Sequence, residues 1–286
     1  MVASLKTIFR KTSVIKQRGF VSGSVEIDRE GLKFLYNGVR RLKQYLIVAF
    51  IVLILGFILA MVLVLAIPPY IEAIMESGHI PVELIIVPAL ITYILELIPI
   101  ILYYLGARSS SKCFSELYGY AKASLLLLLI YLVSLPIGVL TIYRVVDEAN
   151  RILSTTQSWA SVRVYAEKVG FVVWVVGTVK SIIGTVIAIY LVQIFRDLGE
   201  LFISLLTRIR GSEESASSML NEEFALKLRD ATNFLTWSYV VSFLNTLFSI
   251  VAKPFLSSLS GILSIIAIIL HIIGLGYGYK GLSEIE

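Results

Sequence analysis

Three ionisable side chains sit inside long apolar stretches of this chain: Glu96, Lys180 and His271. A charge deep in hydrocarbon costs on the order of 3 kcal/mol or more, so each needs a partner or a task. A carboxylate and an ammonium at matching depth make an ion pair that fastens helices. The same groups with an imidazole nearby could pass protons or gate a small solute. At a helical rise of about 1.5 Å per residue, Glu96 lies roughly 21 Å from the start of its apolar run and Lys180 roughly 16 Å into another. Those depths let the two pair, while His271, roughly 24 Å into a third run, is expected nearer the cytoplasm.

Other chemistries fit less well. Gly276-Tyr-Gly-Tyr-Lys-Gly281 spells a dinucleotide fingerprint, but a hydrophobic run precedes it instead of a strand and only five residues follow. Ser260 and His271 share one helix, about 16 Å apart, too far for a nucleophile and its base. A serine from another helix would be needed. His79 and His271 are expected at opposite membrane levels, and the single cysteine, Cys113, lies elsewhere, which speaks against a zinc site. No P-loop or HExxH pattern occurs. No cofactor or metal is expected, and the balance leans away from an enzyme.

The elements that must position these groups are membrane spans. Of 286 residues, 57% are hydrophobic and 16% charged, with mean hydropathy +0.87; a soluble domain carries about a quarter charged residues. Runs of about 20 apolar residues, long enough to cross a hydrocarbon core, occur at Tyr45–Ile67, Val82–Leu105, Ser124–Tyr143, Val169–Phe195, Thr232–Ala252 and Phe255–Tyr277. Pro68-Pro69 is expected to end the first, and Pro88, Pro99 and Pro136 to kink the next two. The first run begins behind more than 40 residues, too far in for a cleavable signal segment.

Small and polar residues at helical spacing suggest which faces meet. Gly170, Gly177 and Gly184 recur every seven residues and share a face with Lys180. Gly274 and Gly278 share one with Ser260, Ser264, Ala267 and His271. Thr92, Glu96, Pro99 and Tyr103 form a stripe in the second span, and Tyr131, Ser134, Gly138 and Thr141 one in the third. The first span offers only Gly56 and Ala60 and is expected to be peripheral.

Lysine and arginine set the orientation. Nineteen fall in segments assigned to one side and five on the other, so both ends are expected in the cytoplasm. The excess of positive charge therefore reports topology, and no nucleic acid partner is expected. Residues 1–43 form a basic cytoplasmic segment in which Leu5, Ile8, Phe9 and Ile15 can share a helical face, suited to anionic lipid head groups or serving only as a topology signal. Residues 44–280 form the six-helix membrane domain, with a cytoplasmic amphipathic insert at 196–230, and 281–286 form the tail. Within the insert, Leu198, Leu201, Phe202, Leu205 and Ile209 make one stripe.

An echo runs through the inner ends. Lys112-Cys-Phe-Ser-Glu-Leu117, Arg196-Asp-Leu-Gly-Glu-Leu201 and Lys280-Gly-Leu-Ser-Glu-Ile285 begin 84 residues apart. Either a two-helix hairpin is repeated three times, or membrane-exit segments share a common composition. The segments "EGLKFLYNGVRRL" and "GLGYGYKGLSEI" around Ile/Leu/Val/Tyr-rich spans are similar to uncharacterised multi-pass membrane proteins of hyperthermophilic archaea, a resemblance that implies no catalytic residue. The expectation is an all-α polytopic protein of the cytoplasmic membrane, embedded in the lipid bilayer. Its role is that of a non-enzymatic component of a homo-oligomer or membrane complex. The rival is a small transporter or channel built around Glu96, Lys180 and His271.

Overall fold

The computed structural model describes residues 29–156, 158–210, 218–251 and 257–286. Among them the chain is all helix, without a strand. Six α-helices follow in order: α1 (Arg29–Ser77), α2 (Glu83–Ser110), α3 (Tyr118–Thr156), α4 (Trp159–Arg210), α5 (Ser218–Val251) and α6 (Ser257–Ile285), with a 3-10 turn at Ser115–Leu117 ahead of α3. Five stretches among the described residues are long and apolar enough to cross a membrane: Glu30–Val62, Ile85–Ser110, Ser115–Thr156, Thr178–Thr207 and Ser260–Ile285. The expected span Thr232–Ala252 falls on α5 and is not one of the five. The apolar end of that run, from Ser249 through Ala252, lies outside the residues over which the five are defined. The basic segment 4–18, the linker 211–217 and Lys253-Pro254 also lie outside them.

Pro68-Pro69 does not end the first helix. α1 continues to Ser77, because proline's fixed φ near −65° is itself helical and the loss of two N–H groups leaves neighbouring turns bonded. Termination falls instead to Gly78, whose φ of 63° suits glycine and whose N–H bonds the carbonyl of Ile74 at 3.0 Å. Pro136 lies within α3, and the helix runs past it.

The chain forms two compact units, and α1 to α4 each contribute a stretch to both. The first unit comprises Met1–Phe50 (described from Arg29), Pro99–Leu126 and Gly184–Glu286. Leu32, Leu35, Val39, Leu42 and Leu46 on α1 are all at most 1% exposed. Their alternating three- and four-residue spacing is that of a knobs-into-holes seam. The start of α1 is therefore part of the core. It crosses α2 backbone to backbone: a Cβ on Gly38 would come within 2.7 Å of the Ser110 nitrogen and 2.9 Å of the Gly106 carbonyl oxygen. Ser109 Oγ adds a 2.8 Å bond to the carbonyl of Phe34.

In the same unit α5 and α6 run antiparallel and interlock from Asn245–Ser264 to Lys227–Glu284. Leu235 fits against Gly274, Ala231 and Leu46 against Gly278, and Leu228 against Gly281. Without side chains at these positions the helices approach closely and gain dispersion contacts, the main attraction available among apolar surfaces in lipid. α4 joins through Phe202, whose ring meets Phe224 edge-on at 5.4 Å. The expected amphipathic stripe lies on α4, with Leu198, Phe202 and Leu205 in the core and Arg196, Glu200 and Thr207 exposed.

The three echoed segments differ in local form. Arg196–Leu201 and Lys280–Ile285 are helical, while Lys112–Leu117 passes through a turn and the 3-10 segment. Leu117, Leu198, Leu282 and Ile285 are each fully enclosed, whereas Phe114 and Leu201, at the matching places of the echo, are half-buried. Lys112–Leu117 departs from α-helical form where the chain passes from α2 to α3.

The second unit comprises Ile51–Ile98 and Leu127–Ile183. Ala149, Leu153 and Val162 pack with Ile80, Trp159 and Tyr165. The side-chain amide of Asn150 both accepts from Ile80 N–H (2.8 Å) and donates to the Ile80 carbonyl (3.0 Å), tying the α1–α2 loop to α3.

Candidate functional site

The second unit brings Glu96 and Lys180 into one polar cluster without pairing them directly. Among the described ion pairs none joins the two. Tyrosines serve them instead. Lys180 Nζ donates to the Tyr93 hydroxyl at 2.9 Å and lies 4.4 Å and 4.5 Å from the ring centroids of Tyr93 and Tyr131. An ammonium so placed gains from both ring faces what it loses in water. Tyr93 donates to Ser134 Oγ at 3.3 Å, and Ser134 in turn donates to the Tyr131 carbonyl at 3.0 Å. The Glu96 carboxylate lies in the field of the Tyr131 hydroxyl and the Lys180 ammonium.

Helical periodicity builds this arrangement. Tyr93 and Glu96 are three residues apart on α2, as are Tyr131 and Ser134 on α3, so each pair shares a face. Lys180 arrives from α4, and one ammonium thereby ties three helices. The two rings meet nearly edge to face, 6.1 Å apart at 67°, a favoured aromatic geometry. All five side chains are half-buried. The sequence stripe containing Glu96 named Thr92, four residues away, but Thr92 is exposed and bonds its own helix at the Pro88 carbonyl, 2.9 Å away. Tyr93, one position on, was missed, although three-residue spacing from Glu96 marks it equally well.

His271 belongs to the first unit and has its own neighbours. Ser238 Oγ on α5 lies 2.9 Å from the Ala267 carbonyl and 3.3 Å from His271 Nδ1. The hydroxyl has one proton. Given to the carbonyl, it leaves Nδ1–H as donor to Oγ. Tyr239 meets the imidazole edge-on at 5.5 Å. A serine from a second helix therefore does reach the histidine, but Ser238 is only 3% exposed and its proton is already committed. The arrangement fastens α5 to α6 and does not present a nucleophile.

Among the glycines, a Cβ at Gly274 would lie 2.7 Å from Leu235 Cγ, and one at Gly278 would lie 3.1 Å from Leu46 Cδ1. One at Gly184 would meet open space, so no neighbour comes close at that point of the seven-residue series. Gly170 and Gly177 lie outside the residues whose surroundings are described.

Fold and site together define a class: among the described residues an all-helical protein, compatible with a membrane protein, whose Lys180 is met by a tyrosine hydroxyl and two aromatic rings. Compared with protein-family models, curated proteins and solved structures, the chain matches none.

Proposed function

We propose that this chain is a multi-pass integral membrane protein with a non-enzymatic role, in which the intramembrane charges hold the helices in register. The observation that carries this is the saturation of Lys180: one hydroxyl acceptor at 2.9 Å and two ring faces occupy its ammonium. A cation held this way gives rigidity to α2, α3 and α4 and leaves little for a passing solute. Both ends lie in the cytoplasm, as the lysine and arginine asymmetry implies. The chain acts as a component of an assembly, with its own copies or with other membrane proteins. The resemblance to membrane proteins of hyperthermophilic archaea agrees with that setting.

Lys180→Met is expected to lower stability by about 1–3 kcal/mol, the scale of a desolvated cation–π contact plus a charged hydrogen bond. Proteoliposomes of the intact protein are expected to pass no protons or ions. A flux abolished by Glu96→Gln would overturn this reading. It would favour a proton path, for which the Tyr131–Tyr93 contact between the carboxylate and the ammonium is the specific support. In a Cys113→Ser background, His79→Cys should be labelled from outside the cell, and labelling only after permeabilisation would reverse the topology. Cross-linking in native membranes that returns only monomers would remove the assembly role.

A further inference from the structure

A cavity of about 630 Å³ opens between the start of α1 and the end of α2 in the first unit. Four cations line it: Arg40 and Arg41 from α1, Arg108 from α2 and Lys112 from the turn that follows it. No acidic side chain lines it, and among the described ion pairs none uses any of the four. Two of the cations are held in place by aromatic rings. Lys112 Nζ lies 3.9 Å from the Phe34 ring centroid. Arg108 bonds the Tyr104 hydroxyl at 3.1 Å and lies over its ring. The backbones of α1 and α2 approach closely at Gly38 and Gly106, just beside the cavity. Like charges gathered next to hydrocarbon repel one another in a medium of lowered dielectric, and an anion relieves that repulsion.

Position indicates which anion. On α1 the lining residue Gln44 immediately precedes the apolar run from Tyr45, and on α2 Leu105 ends one. The cavity therefore sits where apolar chain gives way to polar chain on both helices, the level of lipid phosphates in a bilayer. Guanidinium groups match phosphate oxygens in fork geometry, and basic pockets between membrane helices suit anionic head groups. We propose that this cavity binds the phosphate of an anionic phospholipid, with Arg41 and Arg108 as its principal donors and Lys112 as a third positive charge. A zwitterionic head group brings its own cation into the same space and binds less well. The proposal rests on the chain being a membrane protein but is independent of what Lys180 does.

The test uses the full chain in mild detergent, with thermal stabilisation and bound-lipid mass measured against added phosphatidylglycerol, phosphatidylcholine and inorganic phosphate. Phosphatidylglycerol is expected to stabilise and to stay bound, phosphatidylcholine to do neither, and phosphate alone to act only weakly. The double variant Arg41→Gln/Arg108→Gln should bind phosphatidylglycerol about tenfold more weakly or worse, as loss of charge-assisted bonds to phosphate implies. Arg229→Gln, an exposed cation away from the cavity, should bind as the unaltered protein does. Both Arg41 and Arg108 are exposed, so the variant should melt normally without lipid, and that melting curve is recorded as its fold control. Equal phosphatidylglycerol affinity in the double variant would overturn the proposal, as would equal weakening by Arg229→Gln. Tight phosphate binding without lipid binding would overturn the lipid assignment. A proton flux through Glu96 would contradict the fastening role of Lys180 and leave all these results unchanged.

Discussion

The crossing of α1 and α2 can be probed by adding a single methyl group at Gly38. The new carbon would stand 2.7 Å from the Ser110 nitrogen and 2.9 Å from the Gly106 oxygen, whereas non-bonded carbons prefer about 3.5–4.0 Å. Ser110 Oγ stands closer still, but a side chain can turn away; the other two obstacles are backbone, so the helices must separate by about 0.7 Å or more. Overpacking of this kind costs about 1–3 kcal/mol, and two backbone obstacles place it at the upper end. Alanine returns about 1 kcal/mol of helix propensity, leaving a net loss of about 2 kcal/mol. Gly56→Ala is the matched control: the same atoms are added in the same helix, but nothing lies within 4 Å, so only the gain of up to about 1 kcal/mol remains. The two variants should therefore differ by about 3 kcal/mol. At about 2–4 °C per kcal/mol for a chain of this size, their melting points in one detergent should differ by roughly 6–12 °C, Gly38→Ala being the lower. If Gly38→Ala melts at or above Gly56→Ala, the close crossing does not exist in solution.

Three further outcomes follow from other sites. Ser110 Oγ is buried without a hydrogen-bond partner, so Ser110→Ala should stabilise by about 1 kcal/mol and raise the melting point; a fall would mean that the hydroxyl has a partner. Burial pushes the Cys113 thiol up to about 11. At pH 8 its alkylation by iodoacetamide should run about a hundredfold slower than that of free cysteine and then climb with pH. Because the folded chain holds this proton more tightly than the unfolded chain, the thiol's contribution to stability is complete below the ordinary thiol range and declines as pH rises toward 11. Asn150→Asp keeps an acceptor for the Ile80 N–H but sets a carboxylate against the Ile80 carbonyl. It should cost about 1–3 kcal/mol and speed hydrogen exchange at the 78–82 loop, and unchanged exchange would remove the amide from its role there.

Apolar run length made the helices readable, because a stretch of about 20 apolar residues has few alternatives to spanning lipid. Depth arithmetic also placed Glu96 and Lys180 near one another. Their mode of contact was not readable: stripes were drawn through Thr92, whereas the tyrosine one position on reaches across to the lysine. Pairing opposite charges is the simplest expectation, but it ignores how well ring faces serve a cation. The seam of α1 was hidden for a different reason. Leu32, Leu35, Val39, Leu42 and Leu46 are interleaved with Lys33, Arg40, Arg41 and Lys43, so the charges masked the apolar stripe. The Pro68-Pro69 pair misled in the opposite direction, since a missing N–H weakens a helix locally without dictating where it stops.

The meeting of α1 with α6 also bears on how the protein is made. Lys43 bonds Glu286 at 2.8 Å across 243 residues of sequence, and Leu46 packs against Gly278. At about 5–20 residues added per second, the first helix leaves the ribosome roughly 10–50 s before these partners exist. Through that interval the segment from Pro99 to Ser110 on α2 is the neighbour already synthesised, and the Gly38–Gly106 crossing can shield half of the α1 seam. Assembly of this unit is thus a matter of waiting, with the earliest-made helix keeping one side open for the last.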